Sequence, residues 1–121
     1  MQFIQLVEFG SRSSANDLRE ALDAWLGESH GKRSLQMAVV AAERDNPGHY
    51  WEVLEFGSEE DAERAVELPE TKAAFERWTK LLDGEPVFHN LDVVQQFGGP
   101  TTPPVDVIAG GTLGSPTPGG G

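Results

Sequence analysis

The sequence predicts an α+β fold: one antiparallel sheet carrying its helices on a single face, in the element order β-α-β-β-α-α-β. Three observations predict it. Runs rich in β-branched and aromatic residues alternate with stretches of helical spacing from Met1 to Phe97. The stretch "EFGS" occurs at Glu8–Ser11 and again at Glu55–Ser58, each time closing a strand-like run and opening a helix-like one. Between two strand-like runs lies "DNPG", Asp45–Gly48, where Pro47 and Gly48 fit the central positions of a type II turn and predict a hairpin.

Each element follows from its own residues. "QFIQLVEF", Gln2–Phe9, is a strand by length and bias, and Gly10 breaks it. Ser14 followed by Asp17 resembles a capping box and starts a helix. In that helix Leu18, Ala21, Leu22, Trp25 and Leu26 form one apolar stripe, and Gly27 or Gly31 is expected to end it. "SLQMAVVAAE", Ser34–Glu43, is the second strand and "HYWEVLEF", His49–Phe56, the third. Ser58 with Asp61 repeats the cap and turns Ala62, Ala65 and Val66 inward. Pro69 suits the first turn of another helix, with Ala74, Phe75, Trp78, Leu81 and Leu82 on one side and Gly84 as terminator. "EPVFHNLDVVQQF", Glu85–Phe97, is the last strand. The order is the split βαβ pattern of ferredoxin-like folds. The first and third strands are then central and antiparallel, in halves related by an approximate twofold axis. "EFGS" reads as a strand-to-helix corner, with Gly relaxing the backbone and Ser capping the helix. It is structural.

Composition sets outer bounds. A chain of 121 residues holds one domain, and 38% hydrophobic with 24% charged residues suits a globular protein. Without cysteine there is no disulfide, thiolate metal site or cysteine nucleophile. The net charge of −11 argues against nucleic acid and against anionic membranes as partners. Met1 leads directly into "QFIQLVEF", which predicts neither a signal peptide nor a membrane span and makes the cytoplasm the expected location. The predicted domain is 1–97. From Gly98 to Gly121 the chain carries eight glycines, five prolines and one charge, Asp106, and reads as a flexible tail. Its apolar island, Val105–Ser115 ("VDVIAGGTLGS"), is a candidate docking peptide for a protein partner, of the kind that loads cargo into protein shells.

Strand alternation defines two faces. Phe3, Gln5, Val7 and Phe9 join Tyr50, Glu52, Leu54 and Phe56 on one; Gln2, Ile4, Leu6 and Glu8 join Trp51, Val53 and Glu55 on the other. Both are too apolar for water, so one lies under the helices and the other is expected to meet a second copy, making a homodimer. The repeat maps Gln5 onto Glu52, each a lone polar residue in an apolar stripe. If the two lie directly opposite one another, they mark a pocket that orients a small molecule, or else a buried amide–carboxylate bond without function. His89 and Asp92 of "HNLD" point to opposite faces and form no dyad. Glu8, His49 and His89 are expected at one end of the sheet, as rim residues or as an alternative base or metal site. Trp25 and Trp78 fall on helix stripes as core positions.

The runs "MQFIQLVEF", "YWEVLEFGSEEDAERA" and "LPETKAAFERWTKLLDGEPVFHNLDV" resemble the dimeric α+β barrel superfamily, in the layout of antibiotic-biosynthesis-monooxygenase-like domains and small actinobacterial proteins. The resemblance covers Met1 to about Phe97. It implies two sheets closing a barrel across a dimer, with a pocket between each sheet and its helices. That pocket would take a small apolar or aromatic ligand, with Phe3, Val7, Leu54, Phe56, Phe75 and Trp78 as its walls. Haem-degrading members place Asn, Trp and His where this chain has Gln5, Phe56 and Ala74, so haem degradation is not expected. The monooxygenases of that superfamily oxidise aromatic, polyketide-like substrates without metal or flavin. By that resemblance Glu52 is the candidate base, Gln5 and Tyr50 its hydrogen-bonding partners, and no cofactor is expected. The competing expectation is a non-catalytic dimeric module whose tail docks to a partner.

Overall fold

A computed structural model describes residues 2–98. The predicted tail, with its island at 105–115, lies outside the described residues. The elements are β1 (Phe3–Gly10), α1 (Ala15–Glu28), β2 (Leu35–Ala42), β3 (His49–Phe56), α2 (Glu59–Glu67), α3 (Pro69–Thr79) and β4 (Val87–Asp92). The strands form one antiparallel sheet in the order β2-β3-β1-β4, so the ferredoxin-like α+β pattern is the observed one. The sheet is open in the single chain, with β2 and β4 at its edges. No helix among the described residues is long and apolar enough to cross a membrane.

Local chemistry accounts for most boundaries. The Ser14 hydroxyl accepts the Asp17 N–H at 3.0 Å, and the Ser58 hydroxyl accepts the Asp61 N–H at 3.1 Å, each satisfying one orphan donor of a first turn. Pro69 occupies the first turn of α3, where no N–H partner is needed. Gly48 sits at φ 86° and His49 donates its N–H to the Asn46 carbonyl at 3.1 Å, which closes the hairpin turn around Pro47.

Four boundaries differ from expectation. Helix α1 runs through Gly27 and ends at Glu28, because side chains reach its last carbonyls: Ser29 Oγ donates to Trp25 O and Arg33 Nη2 to Leu26 O. Helix α3 stops at Thr79 rather than near Gly84. Leu81 and Leu82 lie beyond it in tight turns, and Ser11 Oγ donates to the Leu81 carbonyl, fastening this return to the end of β1. Strand β4 ends at Asp92 instead of Phe97, because β1 runs out: Phe3 pairs with Asp92, and the Val93 N–H takes the Gln2 carbonyl as the last rung. Val94 and Phe97 beyond it are fully exposed. The two "EFGS" corners also diverge, since Ser58 caps α2 whereas Ser11 caps nothing and Ser14 takes over.

Alternation places Phe3, Val7, Phe9, Tyr50 and Phe56 under the helices, where they are buried. They form two clusters. Phe3 and Phe56 pack on Ala62 and Ala65, whose small side chains let α2 lie close to the sheet. Val7, Phe9 and Tyr50 pack with Leu18 of α1, and Trp78, Leu81 and Leu82 close over them. Val66 does not turn fully inward; it is 47% exposed.

Candidate functional site

Between the helix face of the sheet and helices α1 and α3 lies a cavity of about 690 Å³. Its floor is sheet: Gln5, Val7 and Phe9 of β1, Glu52 and Leu54 of β3, with Val40 and Phe88 from the flanking strands. Its walls are helix, chiefly Leu18 and Trp25 of α1 with Phe75 and Trp78 of α3. The space exists because Ala21, Ala73 and Ala74 present methyl groups where longer side chains would fill it. A hydrogen bond from Trp25 Nε1 to Thr71 Oγ1, 2.8 Å, ties α1 to α3 across the wall. The Arg33 guanidinium lies 5.3 Å over the Trp25 ring, and burial pulls its pKa below the ordinary value. Val66, Phe75 and Phe88 line the cavity while remaining about half exposed to solvent.

Most of the lining is apolar, so the polar groups on its floor stand out. Glu52 faces the cavity with no side-chain hydrogen bond among the described residues, and burial pushes its carboxyl up to about 7. Gln5 is likewise free of side-chain hydrogen bonds among the described residues. The two share a face but are not directly opposite. Gln5 pairs with Leu54 and Glu52 with Val7, a diagonal arrangement. The repeat carries a residue to its twofold equivalent, and only at Leu6 and Val53 is that equivalent also the pairing partner. A diagonal offset of about 7–8 Å is within reach of long side chains, yet among the described residues neither side chain bonds to the other.

Other expected site residues fall elsewhere. Tyr50 is buried beside the cavity floor, stacked on Phe9 at 5.5 Å, and does not line the cavity. Phe3 and Phe56 belong to the cluster under α2. Both follow from strand position, since the ends of β1 and β3 lie beneath other elements than their centres. Val7, Leu54, Phe75 and Trp78 do line it. Phe9, Trp25, Thr71 and Phe88 line it without having been singled out. Phe88 was legible, since alternation that turns His89 to one face turns Phe88 to the other. Thr71 had no sequence signal, because its part depends on Trp25 reaching it.

Glu8, His49 and His89 do come together. His49 Nε2 is 3.0 Å and His89 Nε2 3.7 Å from the Glu8 carboxylate. They stand on the opposite face of the sheet from the cavity, however, so they cannot act on anything bound inside it. No group of three or more His, Cys, Asp or Glu among the described residues is arranged to hold a metal ion. No histidine lines the cavity, and Ala74 on its wall offers no ligand to iron.

The same architecture recurs in solved structures. SnoaB, a cofactor-independent oxygenase from Streptomyces nogalater, superimposes with a TM-score of 0.68 at 10% identity, over 81% of this chain and 98% of that one. The chain has the antibiotic biosynthesis monooxygenase-like fold. A protein of that kind from Caulobacter crescentus gives a TM-score of 0.68 at 14% identity, covering 78% of this chain and 91% of that one. The Mycobacterium tuberculosis protein Rv0793 gives 0.67 at 14% identity, covering 81% and 100%. No protein-family model and no curated protein sequence matches the chain. At these identities the likeness is one of fold, and what the cavity does rests on its own residues.

Proposed function

We propose that the protein is a homodimer that binds a small apolar or aromatic molecule in the cavity and oxidises it as a cofactor-independent monooxygenase. The observation that carries the reading is Glu52: an unpartnered carboxyl on the floor of an apolar cavity, with its pKa raised to about 7. A base is most effective when its pKa lies near the working pH. Glu52 takes a proton from an acidic CH₂ or phenol of the ligand, and the Gln5 amide donates to the oxygen on which negative charge develops. Dioxygen is the oxidant. The ligand's own electrons reduce it, so that a CH₂ becomes C=O and the second oxygen atom leaves as water. The apolar walls hold the ring, and Phe75 and Trp78 offer aromatic faces to it.

The other face of the sheet supports the homodimer reading. Ile4, Leu6 and Val53 are only partly covered there, and Val39, Val87 and Leu91 are each more than 40% exposed. A second sheet of the same kind covers such a face. Native mass spectrometry of the purified full chain tests both halves of the reading: a dimer carrying additional small-molecule mass is expected. Identification of that molecule then supplies a substrate for oxygen-uptake assays. Glu52→Gln, isosteric with the wild type, keeps the dimer and loses turnover; full activity in that variant removes Glu52 as the base.

A further inference from the structure

The face of the sheet turned away from the helices carries a second set of titratable side chains, which the cavity does not use. Glu8 of β1 stands between two imidazoles, His49 Nε2 at 3.0 Å from one carboxylate oxygen and His89 Nε2 at 3.7 Å from the other. His49 Nε2 also lies 3.8 Å from Glu43 Oε1, which accepts a 3.0 Å hydrogen bond from Trp51 Nε1. Four chain segments thus bring two acids and two histidines to one end of an apolar surface. Charged neighbours are otherwise accounted for or remote. Arg12 and Asp83 pair with each other beyond Gly10, Arg44 and Asp45 sit exposed in the β2–β3 turn, and Glu55 at the far end is bonded by Gln2.

We infer that the protonation of His49 and His89 sets how tightly two copies associate through this face. The inference rests on the homodimer proposed above. With both imidazoles charged, the two positive charges balance Glu8 and Glu43. With both neutral, two negative charges per copy remain. A symmetric dimer doubles whichever set is present, and burying unbalanced carboxylates is costly whereas a balanced set is tolerated. A second copy is also the partner whose charges match: it brings histidines for these carboxylates and carboxylates for these histidines. The net charge of −11 on each chain adds repulsion that the protonated histidines reduce.

The sign follows from linkage. Association favours the state in which positive charge balances the carboxylates on this face. Association therefore tightens as pH falls through the range in which histidine charges, and loosens as pH rises through it.

Sedimentation velocity on the full chain over a dilution series, from about pH 5.5 to about pH 8, reads the effect. The expected result is a dimer dissociation constant at least about tenfold larger at the upper pH, since each linked proton contributes up to tenfold per pH unit. The double variant His49→Gln/His89→Gln should show a flat profile. His30→Gln and Glu52→Gln, whose groups lie off this face, should keep the wild-type slope. A dimer whose affinity does not change with pH overturns the inference and leaves the homodimer standing. A double variant that retains the slope also overturns it, by placing the protons elsewhere. A chain that is monomeric at every pH and concentration overturns the homodimer and the inference with it. Should the double variant fail to fold, calorimetric dilution of the wild type in two buffers of different ionisation enthalpy measures proton release directly, and zero release refutes the linkage.

Discussion

Glu52 and Glu55 stand three residues apart on β3 and point to opposite faces of the same sheet. Glu55 is 2% exposed and accepts a hydrogen bond from Gln2 Nε2, with Gln36 bonded to the same amide. Glu52 looks into an apolar cavity and has no such partner, and its carboxyl is pushed up to about 7. One carboxylate is bonded into the fold and the other faces the cavity. The difference teaches that burial alone does not tell the two acids apart; the one without a partner, beside empty space, is the candidate for chemistry. Their neighbours repeat the contrast. The Gln2 amide is committed to Glu55, while the Gln5 amide is left facing the cavity.

The sharpest way to break this contrast is to neutralise each carboxylate. Glu52→Gln should lower turnover of the cavity's ligand by about 10²–10⁴-fold, the usual worth of a positioned base, while circular dichroism and dimer mass are unchanged. An equally large loss from Glu55→Gln with the fold intact would erase the distinction. Turnover in the wild type should also rise with pH and level off above about 7, as Glu52 ionises.

Stability should separate the two by pH. The Glu52 carboxyl is raised from 4.5 to about 7 in the folded chain, so the folded state holds that proton more tightly than the unfolded state. The corresponding stability is fully present below about pH 4.5, falls as pH rises, and is gone above about pH 7. The fall amounts to about 3 kcal/mol at most. Urea denaturation at stepped pH measures it, and Glu52→Gln should lack this component of the slope.

Next in size is the loss of the partner. Gln2→Ala leaves the Glu55 carboxylate buried without its donor and should cost about 1.5–3 kcal/mol in the urea midpoint at neutral pH. The smallest effect belongs to the mirror change. Gln5→Leu removes an amide that makes no side-chain hydrogen bond, so stability should move by less than about 1 kcal/mol in either direction. Ligand affinity or turnover should nonetheless fall. A large destabilisation here would mean that Gln5, like Gln2, belongs to the fold.

Much of the architecture was legible because it is decided locally. Ser14, Ser58, Pro69 and Gly48 each satisfy or relax a backbone group within a few residues, and the cavity face of β1 and β3 follows from alternation alone. The misplaced ends have a common cause. Each depends on a contact beyond the element's own residues: Arg33 reaching back over seven residues to an α1 carbonyl, Ser11 holding Leu81 from the far end of the domain, and β1 running out of rungs beside β4.

The candidate site divides in the same way. Sequence by itself determined that Gln5 and Glu52 are the polar residues of one apolar face, that Val7 and Leu54 flank them, and that Glu8, His49 and His89 gather at one end of the sheet. Only the tertiary structure decided that Gln5 and Glu52 are diagonal rather than opposed, that Tyr50 packs on Phe9 instead of facing the cavity, and that both imidazoles close on the Glu8 carboxylate. The reason is physical. A side chain's face is set by the backbone's own period of two, but its partner depends on strand register, and the space in front of it depends on how closely helices from elsewhere in the chain can approach.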